Sequence, residues 1–529
     1  MNCTHPIEAC ELYSIDYSEA YLTDLSNRYS KSSYKASSMA VKPNPQRVIV
    51  LCDGTWCGRE TGTQSNIWKL AEAFGINLSG GNNDAVNTRL NFRARYFQGS
   101  GTGKPFLYYL FDGVTGSDLR DKCVEAYQYV AENYVPDSEV WMLGLSRGAF
   151  TVRCVAGMIN NCGIVKPYKE REAVSQLQAA SETKSLCEEV YRIYRSPHDE
   201  DKPNTPKMKA FRDKWSYSEV EDPEQPPVKF MGLIDAVGSL GIPRLNPGMY
   251  AGGEWPEFHD QKVSSVVEKV YHAMSLHDRL WIFQPCRASR TEELTSRIKE
   301  STTNRSGDAA ANEEGSRPRK KQPGYQIHER WFPGCHYDLG RQQFEFLREG
   351  SGKDVHIFER ILSFFSGPTL RSVIPNPSSA DAVLRWLLEK VDQESENPEF
   401  DRSKSLTGFN DGVHAIRNNP TVLSVQTLNE CEGDVYDQLE LYAPGARPLP
   451  RRLLGLVSPL IPGSNEFSKI ALALRDRRVS CMPNTASDNA TSTTVEDYWS
   501  GLSAADRLAF QKKYPSKTYE LHKEYCPNH

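Results

Sequence analysis

Short apolar runs alternate with amphipathic stretches along the first two-thirds of the chain. Arg47-Val-Ile-Val-Leu-Cys52 is continuously apolar after its first residue and stops at Asp53-Gly54-Thr55, the pattern of a buried parallel strand ending in a turn. Ser65 follows as an N-cap, and Ile67, Leu70, Ala71 and Phe74 fall on one helical face. Arg95 to Gln98 reads as a short strand running into Gly99-Ser-Gly-Thr-Gly103. Asp118 to Tyr134 carries Leu119, Cys123, Ala126, Tyr127, Val130 and Ala131 at helical spacing. Val140 to Leu143 predicts a strand, Arg147 to Asn160 a helix and Val228 to Ile234 another buried strand. Strands alternating with helices imply an α/β fold, a mostly parallel sheet with helices on both faces.

Two kinds of segment break the alternation. Residues 1–46 are rich in Ser, Tyr and Lys without a sustained period and read as a poorly ordered arm. Residues 299–323 are almost wholly polar and read as a disordered insertion within the domain. Ala380 to Val391 is an amphipathic helix, after which the signals weaken. The expected organisation is an arm (1–46), a catalytic domain (47–392) and a C-terminal extension or cap (393–529). A length of 529 residues suggests three or four domains at about 150 residues each, but motifs running from 47 to 392 across one sheet favour one domain with insertions.

Composition excludes more than it names. The 63 basic against 68 acidic residues leave a net charge of −5, without the basic excess of a non-specific nucleic-acid binder. No stretch approaches the roughly 18 apolar residues of a membrane span, and the first twenty residues lack the basic and apolar regions of a secretory signal. The expectation is a cytoplasmic protein. The 13 cysteines are spread over the chain with no Cys-x-x-Cys pair, which fits a reducing compartment and argues against a zinc ribbon. No metal or cofactor is expected.

The chemistry concentrates at Gly144-Leu145-Ser146-Arg147-Gly148, which fits Gly-x-Ser-x-Gly. It follows the strand Val140 to Leu143 and opens a helix, the setting of a nucleophile elbow. The glycines permit a tight, strained turn that lifts the serine hydroxyl, and the Arg147 N–H can stabilise an oxyanion. A serine nucleophile needs a base and an orienting carboxylate, which follow in the order Ser, Asp/Glu, His in α/β-hydrolases. Asp235 ends the strand Val228 to Ile234, at the strand end where α/β sites assemble. His336, in the turn Trp331-Phe-Pro-Gly-Cys-His-Tyr-Asp338, is preferred as the base over His272, which sits in Val-Tyr-His-Ala-Met on an expected helix. Asp338 ranks second to Asp235 as the acid, its other reading being local support of the loop.

Three other motifs fail. In Gly99-Ser-Gly-Thr-Gly103-Lys104, the first glycine of a phosphate loop is replaced by Gln98, and Pro105 follows the lysine. Asp53-Gly54-Thr55 resembles a haloacid-type phosphatase, whose nucleophilic aspartate would fall at Leu51, so Asp53 is kept only as a second-rank site residue. His272 and His277 are five apart and cannot share the i,i+4 face of a zinc protease helix.

An ordered series of motifs then resembles a family. It runs through Asp53-Gly54-Thr55, Ser65-Asn66, Gly99-Ser-Gly-Thr, Ala126-Tyr127 to Asn133-Tyr134, and Gly144 to Arg153. Asp235-Ala-Val-Gly238, His272-Ala273, Trp331 to Gly340 and Leu384 to Lys390 complete it, over roughly 47–392. The chain resembles the α/β-hydrolases formerly catalogued as a domain of unknown function, the catalytic domain of type VI secretion phospholipase effectors, as a fungal-type member. The resemblance implies a Ser146–Asp235–His336 triad, a second oxyanion N–H from Gly54 or Thr55, and hydrolysis of phospholipid acyl esters. Two departures stand out: Ala236 replaces the family's Thr after the aspartate, and the glycine-rich run after His-x-Asp is cut to Gly340-Arg341-Gln342. A lipid substrate requires peripheral membrane contact, for which Arg451 to Ile461, apolar with a basic flank, is the candidate, with Phe106 to Phe111 a candidate pocket wall or lid. The rival readings are a soluble-substrate carboxylesterase and a catalytically silent interaction protein on a hydrolase fold.

Overall fold

In a computed structural model, the described residues are 47–55, 57–59, 63–88, 90–99, 116–168, 176–217, 226–237, 262–279, 285–290, 325–345, 372–395, 431, 433–434, 476–477 and 503–518. The expectations placed on 1–46, 106–111, 299–323 and 451–461 lie outside the described residues.

Seven strands build one sheet: β1 (Arg47–Cys52), β2 (Asp84–Asn87), β3 (Phe92–Phe97), β4 (Glu139–Leu145), β5 (Val228–Ile234), β6 (Val267–Ser275) and β7 (Gln326–Phe332). Their order is β2-β3-β1-β4-β5-β6-β7, every pairing being parallel except β2 against β3. A further pair, β8 (Phe344–Glu345) and β9 (Ser372–Val373), stands apart from it. The described helices are α1 (Asn66–Ala73), α2 (Gly116–Asn133), α3 (Arg147–Cys162), α4 (Gln176–Tyr194), α5 (Pro206–Trp215), α6 (His336–Gly340), α7 (Pro377–Ser395) and α8 (Ala504–Lys513).

The strands are buried on both faces, so their apolar runs are continuous, and the period of two sorts alternate residues between two cores. Val48, Val50 and Cys52 pack with Val140 and Met142 under α2, α3 and α4. Ile49 and Leu51 pack with Trp141, Leu143 and Phe230 under α1 and α7. On that second face Trp141, Phe230, Tyr271 and His328 stack in succession across β4 to β7, with centroid separations of 4.9, 5.2 and 4.8 Å. The fold is therefore α/β, a mostly parallel sheet with helices on both faces, as the alternating pattern predicted.

Three differences from the sequence reading are informative. His272 lies in β6, not on a helix: Val267, Val270, Tyr271, Ala273 and Met274 are all buried between two parallel neighbours. A short β-branched and aromatic run has no period that separates a buried strand from a buried helix, and tertiary pairing decides. Helices α4 and α5 were not anticipated, and α7 crosses the expected boundary at residue 392.

Because β1, β4, β5, β6 and β7 are parallel, Cys52, Leu145, Ile234, Ser275 and Phe332 all end at one edge of the sheet. The residues following those ends meet there.

Candidate active site

Ser146 sits between the end of β4 and the start of α3, with φ 55° and ψ −118°. That conformation costs a non-glycine residue about 1–3 kcal/mol and persists only where its surroundings impose it. They do so here. A Cβ on Gly144 would stand 2.5 Å from the Ala149 nitrogen, and one on Gly148 would stand 2.1 Å from the Cys52 carbonyl oxygen. Both motif glycines thus permit close backbone approach, the second clamping α3 against the end of β1. The Ser146 N–H also donates to the Ile234 carbonyl at 2.8 Å, tying the elbow to β5. Helix α3 is buried along nearly its whole length, as expected of a helix in the middle of the domain.

Asp235 follows β5 with φ 40° and no solvent exposure. His336 opens α6, where its backbone N–H donates to Asp278 Oδ2 at 2.9 Å. The turn ahead of it needs Gly334, whose φ is 112°, and the neutral ring of His277 accepts the Gly334 N–H at 3.0 Å. Burial pushes His277 down to about 3, which keeps it uncharged in that role.

These elements bring the three side chains into one line. His336 Nε2 lies 2.8 Å from Ser146 Oγ, and His336 Nδ1 lies 2.6 Å from Asp235 Oδ2. A carboxylate only accepts, so Nδ1 carries the proton and Nε2 accepts from the serine hydroxyl. Of the five described non-glycine residues with positive φ, Ser146 and Asp235 are the two ends of this line and Arg341 caps α6, the helix that His336 opens. Backbone strain is concentrated at the site.

Asp235 has more partners than the sequence suggested. Ser275 donates to it from its N–H (2.9 Å, Oδ1) and its hydroxyl (3.2 Å, Oδ2). Arg477, itself buried, donates from Nη1 to Oδ1 at 2.8 Å and from Nη2 to Oδ2 at 2.9 Å. Burial alone would raise the Asp235 carboxyl, but Arg477 and His336 outweigh it and hold the group well below the usual carboxylate range. Ser275, Asp278 and Arg477 were not singled out from sequence. Arg477 is 242 residues from Asp235, in an arginine-rich run that carries no period.

The second-rank residues surround the line without joining it. Asp53 Oδ1 accepts the Gly54 N–H at 2.7 Å, and Oδ2 accepts the Ser65 and Tyr96 hydroxyls at 2.6 and 2.7 Å. It braces the first loop, and burial raises it to about 6 against those hydrogen bonds. The Gly54 N–H is therefore taken by Asp53, while Thr55 Oγ1 accepts from Arg147 Nε at 2.6 Å. Asp338 accepts from the Cys335 N–H, the Asn376 N–H and the Tyr514 hydroxyl at 2.7, 2.7 and 3.0 Å, which supports its loop-holding reading. His272 Nε2 accepts the Ala236 N–H at 3.1 Å, one residue beyond Asp235.

Among the described residues, no group of three or more His, Cys, Asp or Glu side chains is arranged to hold a metal, and no helix is long and apolar enough to cross a membrane. The nine described cysteines are free thiols, eight of them buried.

A mostly parallel sheet whose strand ends present a serine elbow, an aspartate and a histidine in that chain order defines an α/β-hydrolase-like protein. The chain belongs to the family described as T6SS, Phospholipase effector Tle1-like, catalytic domain, whose model matches residues 46–390. It is also 26% identical over 182 residues to an uncharacterised protein of Saccharomyces cerevisiae, YEL023C, the match covering 32% of this chain. The chain spans only 21% of that relative's length. A solved structure of the Tle1 effector bound to the VgrG spike from the type 6 secretion system is similar over 75% of this chain and 86% of that chain, with a TM-score of 0.30 and 13% identity.

Proposed function

We propose that this protein is a serine hydrolase that cleaves carboxylic esters of lipids through Ser146, His336 and Asp235. The observation that carries the proposal is the unbroken hydrogen-bonded line from Ser146 Oγ through the imidazole to Asp235, at 2.8 and 2.6 Å. In this reading His336 Nε2 takes the hydroxyl proton as Oγ attacks the ester carbonyl. Asp235 fixes the tautomer and stabilises the imidazolium. The Arg147 N–H, at the start of α3, would hold the oxyanion together with an N–H of the first loop. That second N–H would come from Gly54 or Thr55, the Gly54 N–H being held by Asp53 in the resting site. The tetrahedral intermediate collapses as His336 returns the proton to the departing alcohol. Water then attacks the acyl-enzyme, giving its proton to His336, and releases the carboxylic acid and the free serine.

Membership of a phospholipase effector family supports a lipid acyl ester as the substrate class. The decisive comparison is between the wild-type chain and Ser146→Ala on a fluorophosphonate probe, on a short soluble acyl ester and on phosphatidylcholine vesicles. The proposal expects labelling at Ser146, its loss in the variant, and release of fatty acid from vesicles. Hydrolysis of the soluble ester alone, without binding in vesicle flotation, would favour a carboxylesterase. A folded wild-type chain that neither labels nor hydrolyses would return the non-catalytic interaction protein.

A further inference from the structure

Arg477 lies beyond residues 46–390, the stretch matched by the family, yet its guanidinium reaches the acid of the site. Its side chain and that of Asp235 are both fully excluded from solvent. The fork is used on both sides: Nη1 serves Asp235 Oδ1 and the Ser275 carbonyl (2.6 Å), and Nη2 serves Asp235 Oδ2. With the two donors of Ser275 and the Nδ1–H of His336, five donors converge on one carboxylate. A carboxylate offers about four lone-pair positions, so this one has no freedom to turn.

We propose that Arg477 is a positioning residue of the Ser146 site, fixing Asp235 in the orientation that bonds His336 and neutralising the carboxylate charge. The inference rests on the triad reading. A merely structural arginine would need any carboxylate. This one is paired with the group whose charge and direction govern the imidazole.

The consequence is electrostatic. Arg477 offsets the Asp235 charge that His336 Nδ1 faces, and removing a cation from beside an imidazole favours the protonated ring. Among the described residues, the other groups facing the pair are Asp278 on the His336 backbone N–H and His272 behind the Ala236 N–H. Asp338, on the same helix as His336, is directed to Tyr514, Asn376 and Cys335, while His277 faces Gly334. Arg477 is the cation bonded to the triad acid.

The test is the rate of fluorophosphonate labelling at Ser146 between pH 5 and 9, in the 529-residue chain, for wild type, Arg477→Lys and Arg477→Gln, with Ser146→Ala as reference. Lysine keeps the charge but not the fork, so the plateau rate should fall about tenfold while the acid limb stays in place. Glutamine loses both, so the plateau should fall further and the acid limb move up by about one to two pH units. Circular dichroism and Tm establish that each variant is folded. If the glutamine variant does not fold, the lysine variant decides alone. A wild-type plateau rate in a folded variant, or an unmoved acid limb in folded Arg477→Gln, overturns the inference. Labelling that is absent from wild type, or that survives in Ser146→Ala, overturns the triad reading and this inference with it.

Discussion

Two arginine–carboxylate–histidine assemblies lie close together, one at the C-terminal edge of the sheet and one within its last strands. One runs Arg477, Asp235, His336 and ends on Ser146 Oγ. The other runs Arg287, Glu329, His272 and ends on the Ala236 N–H, with Arg287 donating to Glu329 Oε2 at 2.7 and 2.8 Å. His272 Nδ1 lies 3.4 Å from Glu329 Oε1, which also accepts the Ala288 N–H at 2.8 Å. Each has a buried carboxylate between an arginine and an imidazole. What separates them is the group at the far nitrogen. A hydroxyl there can surrender its proton and attack, whereas a peptide N–H is a fixed donor that the imidazole merely holds. Since Ala236 adjoins Asp235, the second assembly anchors the turn on which the first depends.

Four measurements bear on this contrast. The largest effect is expected for His336→Ala, which should reduce ester hydrolysis by about four orders of magnitude, given the cost of removing one member of a hydrogen-bonded triad. Asp235→Asn should approach the same loss through the wrong tautomer, with a lowered Tm because Arg477 would be left buried beside a neutral amide. His272→Ala should cost hydrolysis only about tenfold and stability about 1–3 kcal/mol in denaturant unfolding, from the unsatisfied Ala236 N–H. A loss as deep as that of His336→Ala would dissolve the distinction between the two assemblies.

The smallest effect concerns Glu329 and pH. Burial would raise its carboxyl, but His272, Arg287 and the Ala288 N–H bring it from 4.5 down to about 2. A depressed acid contributes stability above its unfolded pKa and loses it as pH falls through the folded value. The Tm advantage of wild type over Glu329→Gln should therefore be full above pH 4.5 and fade as pH falls toward 2. An advantage that persists at pH 2 would remove the ion pair as its source.

The parts that were legible in the sequence were those written locally. Strand β1, strand β4 with its Gly-x-Ser-x-Gly turn, and the amphipathic stretch inside α7 each declare themselves within a dozen residues. Ser146, Asp235 and His336 are legible as candidates because each follows an apolar run and strand ends gather at one edge of a parallel sheet, where their side chains meet. The supporting residues are not. Whether β6 is strand or helix depends on neighbours that its own period does not encode, and reading it as a helix conceals Ser275 at its end and Asp278 just beyond. Arg477, Asp434 on Arg279, and Tyr514 on Asp338 act from a region whose sequence lacks periodic signal, through contacts 155 to 242 residues long. Such partners are selected by the shape of a finished core.

The remoteness of Arg477 also orders events in time. A ribosome delivers Ser146, Asp235 and His336 well before it delivers Arg477, 141 residues after the histidine. At about 5–20 residues per second that interval is roughly 7 to 28 s. Throughout it the emerging sheet holds an acid whose buried counter-cation has not yet been synthesised. The nascent chain therefore holds the serine, aspartate and histidine of the candidate site before it can finish their charge balance, and maturation of the site is a late event in the making of the protein.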